Sequence, residues 1–227
     1  GVGEDGGAGD ASSAGTGMGT GTGDAAAGAG AGVRVELPMF MGGPQHRGRT
    51  AYEGPAEAPS ALWRHRTRAR IFASPVVAPF GAVLIGSLDR SFTALSPAGE
   101  TRFRYRAGDK IYGSAAVAPD GTVYLGSEDG SVVALTPEGV VRWRRSLGER
   151  SDASPTLGPD GTLYIAADGV YALGADGFVR WHRPTAAHIR SSPTLHPSGL
   201  VIVGTPEGTV LALRLDGSEA WRSAAGG

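Results

Sequence analysis

The sequence predicts an all-β fold: a β-propeller of four-stranded antiparallel blades, about four of them present, as a small ring or as part of a larger propeller. Three observations predict it. One unit is written four times, at residues 73–105, 113–145, 153–183 and 191–222. Within each unit apolar residues alternate in short runs cut by Asp-Gly or Glu-Gly, which is the period of strands and not of helices. The serine that opens each unit falls at Ser74, Ser114, Ser154 and Ser192, spacings of 40, 40 and 38, the length of a four-stranded blade.

The elements follow in chain order. Residues 1–32 are almost entirely Gly, Ala, Ser and Thr, with Glu4, Asp5, Asp10 and Asp24 as their only charges. Such a segment buries no core and reads as a flexible linker. Residues 33–60 lead into the propeller, and residues 61–223 form its repeats, with blades at about 70–106, 110–145, 150–183 and 188–222. In the second unit the pattern places strands at 114–118, 122–126, 132–136 and 140–145. The turns between them have a mechanism: Pro119-Asp120-Gly121, Pro159-Asp160-Gly161 and Pro137-Glu138-Gly139 put proline where φ is near −65° and glycine where φ turns positive. The third unit is two residues shorter because a bare Asp168-Gly169 replaces the four residues at 88–91, 128–131 and 206–209.

Two further positions recur. An aromatic stands 11 residues before each opening serine, at Trp63, Phe103, Trp143 and Trp181, and Trp221 continues the series. An alanine followed by leucine occurs at Ala94, Ala134, Ala172 and Ala212. Both read as packing signals: a small residue at a tight sheet-to-sheet contact and a large ring filling the wider outer space.

These residues resemble the PQQ-binding-like, or quinoprotein-like, β-propeller repeat family. The pattern S-S-P-x-x-x-x-D-G-T-x-Y-x-G-S-x-D-G-x-x-x-A-L-x-x-x-G-x-x-x-W is met well by the second and third units, and with substitutions by residues 191–221. The run Pro38-Met39-Phe40-Met41-Gly42-Gly43-Pro44-Gln45-His46-Arg47-Gly48 resembles the segment that precedes the family's first blade. The family includes periplasmic quinoprotein dehydrogenases and the lipoprotein subunit of the outer-membrane β-barrel assembly machine. The resemblance therefore implies an extracytoplasmic protein, in the periplasm or at the cell surface, with a lipid anchor upstream of Gly1 as one arrangement that suits the linker.

The resemblance also implies what an enzyme of this kind needs: an asparagine ligand for calcium and a vicinal cysteine pair beside the quinone. The chain contains no asparagine and no cysteine. Its five histidines are scattered without metal-ligand spacing, and each Asp-Gly turn supplies too few acids for a calcium loop. No cofactor and no metal are expected. A net charge of −1 excludes a general nucleic-acid binder, and no stretch is apolar and long enough to be a transmembrane segment.

Arginine is concentrated on the outermost strands, at Arg64, Arg66, Arg102, Arg104, Arg142, Arg144, Arg180 and Arg222, where charge discourages edge-to-edge pairing. Four residues before each opening serine stand Arg70, Lys110, Arg150 and His188. A propeller places these loops around one channel mouth, so the four form a candidate ligand-binding ring for a carboxylate, a phosphate or an acidic peptide. The acids Asp89, Asp129, Asp168 and Glu207 lie farther out on the same face. The expected function is a non-enzymatic binding or scaffolding module for a protein partner or anionic ligand, with self-association to complete a ring as one form. The alternative is a quinone-dependent dehydrogenase-like enzyme, or a fragment of one.

Overall fold

A computed structural model describes residues 39–48, 58 and 60–224. The linker at 1–32 and most of the lead-in at 33–60 lie outside the described residues. The rest forms four sheets of four antiparallel strands, each wound in sequence order. The first holds β1 (Val76–Val77), β2 (Val83–Gly86), β3 (Ser91–Leu95) and β4 (Thr101–Arg106). The second holds β5 (Ala116–Val117), β6 (Val123–Gly126), β7 (Ser131–Leu135) and β8 (Val141–Ser146). The third is β9 (Thr156–Leu157), β10 (Leu163–Ala166), β11 (Gly169–Leu173) and β12 (Val179–Pro184), and the fourth is β13 (Thr194–His196), β14 (Leu200–Thr205), β15 (Thr209–Arg214) and β16 (Glu219–Ala224). These are propeller blades.

The innermost strand is shorter than the pattern predicts, two residues in each of the first three blades. The opening serine is the reason. Instead of joining its own ladder, the amide of Ser74 donates to the hydroxyl of Ser114 at 2.8 Å, that of Ser114 to Ser154 at 2.9 Å, and that of Ser154 to Ser192 at 3.0 Å. One hydrogen bond of one kind thus crosses every seam, and the spacing of 40, 40 and 38 is the spacing of this relay.

The outer end of each seam is fixed by the recurring aromatic. The indole N–H of Trp143 donates to the carbonyl of Ala175 at 2.8 Å and that of Trp181 to Leu215 at 2.7 Å, each in the outer hairpin of the following blade. Phe103 occupies the same place between the first two blades and has no N–H to donate. The ring lies on the hairpin glycine two residues beyond the carbonyl. Gly177 has φ +77°, and a Cβ there would stand 2.6 Å from the Trp143 ring. Glycine is required twice over, for the left-handed backbone and for the space.

Between these two ends the alanine and leucine do not share a contact, as the repeat had suggested, because side chains alternate across a strand. Ala134 faces the third blade and Leu135 the first. Each seam therefore sets the alanine of one blade against the leucine of the next: Ala94 with Leu135, Ala134 with Leu173, Ala172 with Leu213. Alanine lies directly across the ladder from the aromatic, as in Ala134 with Trp143, and a bulge follows at once. The small residue makes room for the ring, and the bulge turns the outer strand.

No core cluster among the described residues joins the fourth sheet to the first, so the propeller is open there. Trp221, against which no hairpin packs among the described residues, is 43% exposed. At the other end Trp63 already sits on the first blade, donating to Pro97 at 2.8 Å and lying over Gly99. The lead-in residues run across the inner strands. Leu195 donates its amide to Pro44 at 2.8 Å, and the His46 ring bridges Thr156 at 3.2 Å and Thr194 at 3.1 Å. Burial holds the His46 pKa below its ordinary value, which keeps a neutral ring between the two hydroxyls.

Two substitutions test the seam. Gly177→Ala loses roughly 1–2 kcal/mol from the left-handed backbone alone, before any shift of Trp143 is counted. Ser154→Ala strips the buried Ser114 amide of its acceptor, a loss of about 1–3 kcal/mol. Urea unfolding followed by tryptophan fluorescence measures both, and two variants as stable as the parent chain would contradict the seam described here.

Candidate functional site

Each loop between an outer strand and the next inner strand is pinned to two blades. In the loop before the second blade, Ala107 and Ile111 donate their amides to Arg90 and Ser87 of the first blade, while the Lys110 carbonyl accepts from Glu128 of the second. Ser127 adds its hydroxyl to the Asp109 carbonyl at 3.1 Å. This backbone framework carries the four cations predicted to ring the channel mouth.

The structure treats the four differently. Lys110 pairs with Glu128 at 3.1 Å, and this hydrogen bond raises the lysine pKa. His188 pairs with Asp152 of the preceding blade at 3.3 Å, and Arg190 shares that acid at 3.5 Å. Arg70 and Arg150 are exposed and form no ion pair among the described residues. Two positions are therefore neutralised locally and two are free.

The hairpin acids have a role that the alignment did not suggest. They do not orient the cation ring. Asp129 accepts the amide of Gly108 at 2.8 Å and Asp89 that of Arg68 at 2.8 Å, so each fastens the preceding loop by its backbone. The cation that meets Asp129 is Arg144 of the outer strand, at 2.8 Å. In the third blade, where the hairpin is shorter, Asp168 takes His182 at 3.4 Å and the Tyr171 hydroxyl at 2.7 Å. Burial and the facing carboxylate push the Tyr171 pKa upward.

Three clefts lie among the described residues, one of which, about 330 Å³ and lined by Asp160, Tyr164 and His196, adjoins the apolar one described first. The first, about 410 Å³, lies where Met39, Pro44 and Gln45 cross Val117 and Leu157 at the rim formed by Pro119 and Pro159. No titratable side chain lines it. It offers neither a cation for a tricarboxylate quinone nor an acid or base, and no group of three His, Asp or Glu among the described residues is placed to hold a metal. The residues present do not fit a quinone and its calcium ion.

Another cleft, about 160 Å³, is polar and lies between the segment at residues 65–68, which is not a strand, and β4. Arg66, Arg68, Arg104 and Arg106 line it together with His65 and Asp89. Repeat alignment hid this site, because it is not a repeated feature. The signal was local: arginine at every second position from Arg64 to Arg70 and again from Arg102 to Arg106.

Comparison with known proteins gives the same architecture. Residues 128–227 match the family model of the outer membrane protein assembly factor BamB. No curated protein matches the chain. Among solved structures, BamB from Moraxella catarrhalis is similar, with 18% sequence identity and a TM-score of 0.55 over 72% of this chain and 67% of that one. The two share a fold. No helix among the described residues is long and apolar enough to cross a membrane.

Asp89 offers a pH test of the loop clamp. Burial would raise its carboxyl, but the Ser91 hydroxyl and the amides of Arg68 and Ser91 outweigh this and hold its pKa at about 2. A pKa below the unfolded value contributes stability at neutral pH that is lost as pH falls through the folded pKa, so the clamp weakens from about pH 4 down to about pH 2. Asp89→Asn is expected to lose about 1–3 kcal/mol at pH 7 and to show a flatter decline across that acid window. Thermal melts at closely spaced pH values check both, and an unchanged acid limb would remove Asp89 from the clamp.

Proposed function

We propose, from the PQQ-like β-propeller repeats that this chain carries, that it is a non-enzymatic binding and scaffolding module working outside the cytoplasm, and that the free face of its fourth blade is where a protein partner docks. The observation that carries this reading is the half-finished seam. Three seams are closed by the same set of contacts, and the fourth blade presents the donating half of that set with nothing opposite it among the described residues. Its Ala212 and Trp221 point away from the third blade, Val210 and Ile202 are only partly buried, and the Ser192 amide has no acceptor among the described residues.

The partner this face fits is another blade edge with a serine hydroxyl, a leucine and a hairpin glycine. The first blade of a second copy offers the exposed Ser74 hydroxyl, and beside it Ile71 is exposed where its counterpart Ile111 is buried against Gly86; Leu95 is already buried within its own chain. A head-to-tail pairing of this kind closes a ring if the rotation allows it. One feature opposes it: Trp63 occupies the hairpin that a partner's Trp221 would take. The lead-in segment therefore caps the first blade and competes with the partner.

The similarity of residues 128–227 to an outer membrane protein assembly factor supports both the binding role and the extracytoplasmic setting. The apolar cleft supports it too, since it can lodge apolar side chains and carries no group for acid–base chemistry. Arg70 and Arg150, with Lys110 and His188 beside them, remain the proposed contact for a partner's acidic groups.

Sedimentation equilibrium tests the docking face. The chain is expected to self-associate, with Trp221→Ala weakening association by ~10-fold or more, as loss of an interface tryptophan does. Trp63→Ala is expected to strengthen it by vacating the hairpin. A monomer at every concentration, binding no apolar dye, would overturn the proposal.

A further inference from the structure

The polar cleft between the lead-in segment and β4 sets the first blade apart from the other three. In the second and third blades the cation that follows the outer aromatic is matched by the hairpin acid of the same blade: Arg144 with Asp129 and His182 with Asp168. In the fourth, Arg222 pairs with Glu219 at 3.1 Å. In the first blade the corresponding Arg104 forms no ion pair among the described residues. The corresponding acid, Asp89, accepts the Arg68 amide on one oxygen and the amide and hydroxyl of Ser91 on the other, and it bonds no guanidinium among the described residues.

The remaining arginines are additions to the repeat. Arg66 and Arg106 occupy a position held by Ser146, Pro184 and Ala224 in the later blades, and Arg68 one held by Gly108, Gly148 and Ala186. Requirements common to all blades therefore place no cation at either position. Four arginines nonetheless line one cleft of about 160 Å³ with a single carboxylate, that of Asp89. His65 borders the same cleft, and its Nε2 has no hydrogen-bond partner. Unpaired like charges held this close repel one another, and an anion between them removes that repulsion.

We infer that this cleft is an anion site built for a phosphate group. A guanidinium presents its donors as a planar fork that matches phosphate oxygens two at a time. A carboxylate occupies one such fork, whereas a dianionic phosphate offers three oxygens and two charges, enough to engage several arginines on two segments at once. The group that reaches the cleft is a soluble phosphate or the headgroup of a phospholipid. The site is independent of the docking face on the fourth blade and needs no second copy.

Calorimetric titration of the intact chain with inorganic pyrophosphate at low ionic strength tests it. The expected result is saturable binding of one ligand per chain that weakens as salt is added. The double substitution Arg66→Ser with Arg106→Ser is expected to weaken binding by ~10-fold or more, given the strength of charge-assisted hydrogen bonds. Arg142→Ser with Arg144→Ser on the second blade is expected to leave it unchanged. All four side chains are exposed, so the fold survives either change. Co-sedimentation with phosphatidylcholine vesicles, with and without phosphatidic acid, separates the sources: retention that requires phosphatidic acid and Arg66 and Arg106 assigns a lipid headgroup, and pyrophosphate binding without vesicle retention assigns a soluble phosphate. The proposal is overturned by the absence of both, or by equal binding in the Arg66/Arg106 double variant.

Discussion

The hydrogen bond from one opening serine's amide to the next opening serine's hydroxyl is the constraint on which the fold depends. Net, such a bond contributes on the order of 1 kcal/mol, so its importance lies in position more than in strength. It sets the distance between neighbouring sheets at their inner edge, where the strands are shortest and side-chain packing is thinnest. The docked aromatic does the same at the outer edge, where a ring of this size covers ~150–250 Å² of surface. With both edges held, the alternating side chains between them have one register in which to meet, alanine against leucine in every seam.

The relay also has a direction. Each blade donates forward and accepts from behind, and each aromatic reaches forward, so the two ends of the array are complementary and not alike. This polarity makes the fourth blade a donor surface and the first an acceptor surface, and it gives Trp63 its meaning. A single segment placed on the Gly99 hairpin satisfies the outer half of a seam while leaving the Ser74 hydroxyl unused. Among the described residues the first blade is thus half closed, and the fourth meets no further blade.

Much of this was legible in the sequence. The period, the hairpin chemistry and the recurrence of serine, alanine and aromatic all follow from backbone geometry, which writes itself into local residue choice. What repeats could be read, and what departs from the repeat was obscured by it. Alanine and leucine were adjacent in sequence and read as one contact, although strand alternation sends them to opposite faces. The hairpin acids are visible in the sequence as charges on the same face as the cations, whereas the backbone amides of Arg68 and Gly108, which Asp89 and Asp129 accept, leave no mark there. Arg66 reads as ordinary edge charge, and Arg68 and Arg106 carry no signal of their own until the structure places all three around one cleft with Arg104 and Asp89.

The one place where the units differ in length shows how such an array changes. From each aromatic to the next opening serine the count is always 11 residues, since both groups take part in seams and neither end of that span can move. The two residues missing from the third blade come out of the hairpin between its second and third strands, where the Ala167 amide donates to the Gly169 carbonyl across a tighter turn. This hairpin lies outside both the serine relay and the aromatic docking, so a change of length there leaves those two sets of contacts in place, while the loops that the hairpin fastens adjust to it. Insertions that give one blade a new recognition loop have this place to accumulate, and a chain lengthened there keeps the same inner and outer edges throughout.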